Sequence, residues 1–137
     1  MNARACMLVL MSVWAFACDD PNIAKEPVWN KQPCDHCHMV LSDPRYAAQL
    51  SSQSDERRYF DDIGCLAAFM VEHKLTHAHA WVHDASGWRG ADQTRYARGA
   101  QTPMGYGFVP DARGGLDFAE LLLGATVQAA NLPAGAP

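Results

Sequence analysis

Apolar and polar residues follow one another in blocks that predict short strands and helices. Residues 46–50 are largely apolar and predict a strand, a polar loop follows over 51–56, and 57–60 predicts the second arm of a hairpin. The next two residues, Asp61 and Asp62, suit a helix start, because a carboxylate there accepts backbone N–H groups and complements the helix dipole. Apolar residues then recur at helical spacing, at Ile63, Leu66, Ala67 and Met70. The sequence therefore predicts a helix over 61–72.

The second half of the chain weakly echoes this order. Residues 76–84 alternate with period two, which predicts a strand. One face of this strand carries Ala78, Ala80 and Val82, and the other carries His77, His79, Trp81 and His83. Residues 85–90 predict a turn, 96–98 and 106–109 two further strands, and 116–123 a short helix. The order ββαβ followed by ββα predicts an α+β fold, with two small ββα-type units in one compact domain.

The first 17 residues have the pattern of an export signal. Arg4 gives a positive start, and the apolar run over 7–16 is too short to span a bilayer. A small-x-small cleavage site follows at 15–17, directly before Cys18. A cysteine at this place fits bacterial lipoprotein processing, in which the thiol receives a diacylglyceride, and plain secretion is the alternative.

Behind the signal the chain is expected to divide into three parts. Residues 18–32 are polar with two prolines and predict a flexible tether that carries the lipid at Cys18. Residues 33–124 contain the predicted strands and helices, and residues 125–137, small and proline-rich at the end, predict a frayed tail. The protein is thus expected to work outside the cytoplasm, attached to a membrane.

Composition narrows the expected partners. A chain of 137 residues is long enough for one domain of ordinary size. The formal charge is −4, and the Lys and Arg residues form no basic stripe, so nucleic acid is not an expected partner. Beyond the signal and Cys18, three cysteines remain, Cys34, Cys37 and Cys65. An odd number predicts either one leftover thiol or a metal held by all three.

The richest chemistry lies in the run C-D-H-C-H-M from Cys34 to Met39. Two thiolates and a thioether suit a soft ion such as Cu(I), whereas Mg²⁺ and Ca²⁺ prefer oxygen ligands. His36 and His38 add two imidazoles to the same loop. A second thioether, that of Met104, lies far downstream in P-M-G-Y-G, a loop type that buries little. This pairing predicts copper handling.

Other interpretations of the C-x-x-C motif stay open. A structural zinc site needs further ligands, which only Cys65 and a histidine would supply. A redox dithiol favours a helix N-terminus after a strand, whereas Pro33 precedes this motif and a strand-like Val-Leu pair follows it. Cys65 falls in the first turn of the predicted helix, where the dipole favours a thiolate. It is either a third copper ligand or a small buried residue.

The histidines of the 76–84 strand have two interpretations of their own. Alternate histidines on one strand face can chelate Zn²⁺ or Cu(II). Packing of His77, His79 and His83 around Trp81 explains the same pattern without a metal.

Four blocks of sequence together resemble the nitrous oxide reductase accessory protein (NosL) family. They are C-D-H-C-H-M-V-L-S-D, F-D-D-I-G-C-L, W-V-H-D and T-P-M-G-Y-G-F, in this order between Pro33 and Ala119. The resemblance implies two ββα-type units related to the organomercurial lyase fold. It places Cys34, Cys37 and Met39 on the family's Cys-x-x-Cys-Gly-Met motif and Met104 on its Met-Gly motif. His38 stands where the family usually has glycine, which offers an extra ligand or a changed loop shape.

What the resemblance implies for function is a periplasmic, lipid-anchored Cu(I) chaperone that serves a copper enzyme such as nitrous oxide reductase. Such a protein is not an enzyme. The alternatives are a thiol-disulfide oxidoreductase or lyase-like enzyme that uses Cys34 and Cys37, and a zinc-stabilised interaction module.

Overall fold

The main layer of the fold is a four-stranded antiparallel sheet. The computed structural model describes residues 20–52, 56–76 and 78–131; the predicted export signal, Cys18, His77 and residues 132–137 lie outside the described residues. The strands are β1 Ala48–Ser51, β2 Arg57–Phe60, β3 His79–Asp84 and β4 Gly87–Gly90, in the order β2-β1-β3-β4. With two helices added, the predicted α+β class is confirmed.

One helix packs on a face of this sheet, and a second helix packs against the first. Helix α1, Ile63–Glu72, packs on β1 and β2 and also against helix α2, Phe118–Asn131. Phe60 of the sheet and Phe69 of α1 lie 5.3 Å apart between ring centroids. A second, two-stranded sheet pairs β5 Tyr96–Ala97 with β6 Val109–Pro110, and short 3-10 turns occupy Pro44–Tyr46 and Ala91–Gln93. Neither helix of the described residues combines the length and the apolar character that a membrane span requires.

Two of the predicted boundaries are wrong, and both lie at glycines. Residues 85–90 were predicted as one turn, but Gly87–Gly90 is strand β4, and only two residues separate it from β3. Trp88 lies opposite His83, and this aromatic contact holds the strand in register. The predicted 116–123 helix continues past Gly124 to Asn131, with Ala125 buried, so residues 125–131 belong to a helix and not to a frayed tail.

The predicted tether is also shorter than expected, because most of 20–32 packs on the sheet. Gln49 is completely buried, and its side-chain amide accepts from the Lys25 backbone N–H at 2.9 Å and donates to the Lys25 carbonyl at 3.0 Å. An amide side chain thus pairs with the segment as a neighbouring strand would. Pro27 is buried and Trp29 packs against the core. Polar composition predicted a free tether, but these backbone groups find partners on the sheet.

Candidate metal centre

Cys34 and Cys37 lie on a tight loop that closes on itself. The Cys34 N–H donates to the Met39 carbonyl at 2.7 Å, and the His38 N–H donates to the Cys34 carbonyl at 3.0 Å. Pro33 and Val40 form an antiparallel bridge at the base of the loop. This closure turns the chain back so that both thiols lie on the inner side, with Cys34 buried and Cys37 partly exposed.

Asp35 fixes this loop to the edge of the sheet. Its N–H donates to the Tyr59 carbonyl at 2.8 Å, and its carboxylate accepts from the Tyr59 N–H at 2.7 Å. Arg58 lies 3.4 Å from the same carboxylate. Asp35 therefore serves to dock the loop on β2.

The third thiol comes from the first turn of α1. Asp62 is the N-cap, and its carboxylate accepts from the Gly64 N–H at 2.8 Å. Asp61, the other candidate cap, instead accepts from the Ser42 N–H at 3.2 Å. Because the cap fixes the helix start beside β2, the Cys65 side chain is buried next to the cysteine loop.

The sulfur atoms of Cys34, Cys37 and Cys65 all lie within 4.8 Å of one another. Three sulfurs bound at about 2.3 Å to one ion would be separated by about 4 Å. The observed spacing thus fits a shared ion after a small adjustment of side chains, and the three cysteines could hold a metal. The three thiols are free of disulfide bonds.

The three thiols differ in how readily they ionise. Hydrogen bonds lower the pKa of Cys34 to about 5, although burial acts in the opposite direction. The strongest of these bonds comes from the Cys65 thiol. Further bonds come from the backbone N–H groups of Cys37, Asp61 and His36. Burial raises the pKa of Cys37 to about 11. Donation to Cys34, together with burial, raises the pKa of Cys65. The expectation of a thiolate at Cys65 is therefore wrong for the metal-free site, where Cys34 carries the charge.

The two candidate methionines lie on loops that adjoin these cysteines. Met39 ends the cysteine loop and is 50% exposed. Met104 is 39% exposed, and its N–H donates to the second Asp62 oxygen at 2.9 Å. One carboxylate thus joins the Met104 loop to the helix start that carries Cys65.

Tyr106 and Gly64 form a contact near the site that sequence analysis did not find. A Cβ on Gly64 would lie 1.9 Å from Cγ of Tyr106, so the ring packs directly on the helix backbone. Burial, with nearby negative charge from Asp62 and Cys34, raises the pKa of Tyr106 to about 12. Gly105 and Gly107 have φ values of 74° and 79°, which only glycine adopts easily. In the sequence, the two glycines that flank Tyr106 mark this tyrosine as unusual, but they do not indicate that it contacts Gly64.

The histidines are distributed differently from the cysteines. His36 lies 3.9 Å from Glu72 of α1, and His38 is exposed with a φ of 64°. His79 stacks on Trp81, and His83 packs edge-on against Trp88, so the aromatic interpretation of the strand fits both. Within the described part of the chain, only the three cysteines bring potential metal-binding atoms close to one another as a group.

Comparison of the chain with protein-family models, with curated proteins and with solved structures gave no match in any of the three. The family named from the four sequence blocks therefore stays a prediction. The structure adds one observation, which is that the three cysteines lie close together.

Proposed function

We propose that this protein binds Cu(I) and passes it to a copper enzyme, as an accessory protein of the nitrous oxide reductase type and not as an enzyme itself. The observation that carries the proposal is the group of three cysteine sulfurs within 4.8 Å of one another. Thiolates are the protein ligands that Cu(I) prefers. The predicted ligand set is Cys34, Cys37 and Cys65, with Met39, Met104 and His38 as further donors at the rim.

The exposure of these groups suits transfer of the ion. Cys34 and Cys65 are completely buried, whereas Cys37 is partly exposed and Met39 and Met104 are substantially exposed. A thioether stays neutral and needs no deprotonation, so it adds a weak, exchangeable contact to a thiolate site. A recipient with better ligands can thus approach from the side of Cys37 and displace the rim donors first.

Catalytic thiol exchange fits the site less well. In catalytic thiol exchange, one and the same thiol needs both a low pKa and access to the partner disulfide. Here the thiol with a lowered pKa, Cys34, is buried, and the exposed thiol, Cys37, has a raised pKa. The two requirements are divided between two residues, which favours metal binding.

Zinc is the second candidate ion, since three thiolates and one histidine are a common structural zinc set. His38 follows Cys37 on the exposed rim and would be the fourth ligand. A structural zinc site contributes directly to folding. A chelator should therefore unfold the protein if it holds structural zinc, but should leave it folded if it carries copper as a cargo.

The proposed place of action is the periplasmic side of a membrane, with the export signal removed and a lipid on Cys18. The test is fractionation of cells that express the full chain or its Cys18→Ser variant. The wild type should sediment with membranes, and the variant should be soluble. A variant that stays with the membranes as before would contradict lipid anchoring.

The central test is competition for Cu(I) with a chromogenic chelator under reducing conditions. Cys34→Ser, Cys37→Ser and Cys65→Ser should each weaken Cu(I) binding strongly. His79→Ala is the matched control, because its ring stacks on Trp81 away from the cysteines. Equal losses in all four variants, or no loss in the cysteine variants, would contradict the proposed site.

A further inference from the structure

The tryptophans of the described chain all lie on the face of the sheet that faces away from α1. Trp81 lies opposite Gln49 and Gly90, and Trp88 opposite His83, so these side chains share one face. Trp29 packs edge-on against His83 from the segment that covers this face. We call the surface formed by Ile23, Trp29, Trp81 and Trp88 the outer face.

One carboxylate holds two of these indoles in place. Glu26 accepts from the Trp29 indole N–H at 3.0 Å and from the Trp88 indole N–H at 2.8 Å. Arg57 lies over the Trp81 ring at 5.7 Å from its centroid. The three indoles are thus held in place on this face and are each partly exposed. Ile23, which lies between Asp20 and Lys25 on the covering segment, is 56% exposed.

The chain reaches this face from the predicted lipid attachment point. The Asp20 carbonyl accepts from Arg57 at 3.1 Å, at the same place where Arg57 covers Trp81. Cys18 precedes Asp20 by two residues, so their Cα atoms are at most about 7 Å apart. A lipid on Cys18 would therefore bring the bilayer surface to the edge of the outer face.

We propose that the outer face rests on the lipid bilayer and that the cysteine centre points away from it. This inference rests on lipidation of Cys18, which is part of the proposed function. Tryptophans favour the headgroup region of a bilayer, where an apolar ring and a polar N–H are both satisfied. An exposed isoleucine next to the anchor adds apolar surface that the acyl region accepts.

The layers of the fold then set the orientation of the site. Phe60 and Val82 point from the sheet to the side of α1, and Gln49 and Trp81 point to the outer face. Cys65 is buried in α1, behind the sheet as seen from the outer face. A docked domain thus presents its metal centre to soluble or protruding partners and shields it from the lipid.

Intrinsic tryptophan fluorescence tests this orientation. The processed full chain is reconstituted in phosphatidylcholine–phosphatidylglycerol vesicles, with or without lipids brominated near the headgroup. Trp14 leaves with the signal, so the emission comes from the three outer-face indoles. Brominated lipid should quench this emission. Equal fluorescence in both kinds of vesicle, while the protein floats with them, would overturn the proposal.

Two tethered forms make the test independent of native lipidation. Both forms lack residues 1–18. A hexahistidine tag precedes Asp19 in one form and follows Pro137 in the other, and each form binds vesicles through a nickel-chelating lipid. The N-terminal tether should give strong quenching. The C-terminal tether, which follows α2 on the other side of the molecule, should give weaker quenching. Equal quenching from both tethers would overturn the proposed orientation.

A matched pair of substitutions probes the contact itself. Ile23→Asp should reduce the quenching, whereas Leu123→Asp should not, because Leu123 is 69% exposed on α2. Neither variant should change the affinity for Cu(I), which is measured separately by chelator competition. Loss of Cu(I) binding would thus count against the proposed function alone, and unchanged quenching in Ile23→Asp would count against the outer face.

Discussion

At the scale of single residues, the protonation of Cys34 sets the chemistry of the cysteine centre. Its lowered pKa of about 5 makes it a thiolate at neutral pH. Cys37 and Cys65 keep their protons at that pH, because the pKa of each is raised. Metal binding requires deprotonated ligands, so a bound ion must displace these protons. The buried Cys34 thiolate is thus the first ligand available to an incoming cation.

The number of ligands can be counted from the pH dependence of binding. Between about pH 6 and 8, Cys34 is already ionised and releases no proton, whereas Cys37 and Cys65 each release one on binding. Cu(I) affinity should therefore rise with pH, by about tenfold per unit for each proton displaced. Chelator competition across this range should show about a hundredfold rise per unit for three thiolates and about tenfold for two. A pH-independent affinity would contradict thiolate ligation by either residue.

His38 should be a strained residue whose replacement stabilises the fold. Its φ of 64° costs about 1–2 kcal/mol for a side chain with a Cβ. Glycine avoids this cost but loses about 0.5–1 kcal/mol in chain entropy, so His38→Gly should stabilise the metal-free protein by up to about 1.5 kcal/mol.

His38→Asn is the control, because asparagine tolerates this conformation and lacks the imidazole. Thermal unfolding measures the strain, and Cu(I) competition measures the loss of a ligand. If His38 is a donor, both variants should weaken Cu(I) binding to a similar extent, although only the glycine variant fully removes the strain. A melting temperature that falls in His38→Gly would show that the histidine makes stabilising contacts.

At this scale the sequence predicts local features well and distant ones poorly. The Cys34–Cys37 pair could be named because both residues lie in one short motif. The choice between a buried and a ligating Cys65 depended on where α1 sits relative to the loop, which no local pattern contains. The contact of Tyr106 with Gly64 likewise depends on tertiary packing.

At the scale of elements, Asp62 joins two parts of the site, the start of α1 and the Met104 loop. One carboxylate oxygen caps α1 through Gly64, and the other accepts the Met104 N–H. The carboxylate is completely buried, so both bonds are shielded from water. The position of the Met104 loop relative to Cys65 therefore depends on this one side chain.

Asp62→Asn should separate the two roles. The remaining amide oxygen can still cap the helix, but the amide nitrogen cannot accept from Met104. Loss of one buried hydrogen bond should cost about 1–3 kcal/mol in unfolding free energy, measured with urea. Cu(I) affinity should fall as well if Met104 is a ligand.

The neighbouring Asp61→Asn is the matched control, since its amide oxygen can keep the bond to Ser42. This variant should leave Cu(I) affinity nearly unchanged. Equal effects of the two substitutions on Cu(I) affinity would show that the Met104 loop is held by other contacts.

The elements themselves were predictable where the pattern was strong. Strands β1 and β2 and helix α1 follow from the alternation and the apolar stripe between residues 46 and 72. Strand β4 was not predictable from its own residues, since Gly-Trp-Arg-Gly is a weak strand sequence that pairing with β3 stabilises. Helix α2 continues past Gly124 because Ala125 finds a place in the core. Both errors are cases in which tertiary contacts outweigh local preference.

At the scale of the whole molecule, the fold has a core that extends well beyond the three cysteines. Phe60, Val82, Phe108 and Leu121 are completely buried and come from four different parts of the chain. Burial of apolar surface of this kind is the main source of folding free energy. The cysteines lie at one edge of this core, so the fold does not depend on an ion to bring its layers together.

The metal-free protein should therefore stay folded, and Cu(I) should stabilise it as a ligand does. In the presence of a reductant and a strong chelator, we expect a single cooperative thermal transition measured by circular dichroism. Free Cu(I) at a hundred times its Kd should add about 2.7 kcal/mol to the unfolding free energy. Met104→Leu keeps the side-chain volume, so it should change the metal-free stability by less than about 1.5 kcal/mol while reducing the stabilisation by Cu(I). Unfolding by the chelator alone would instead identify a structural zinc module, because such domains lose their fold with their metal.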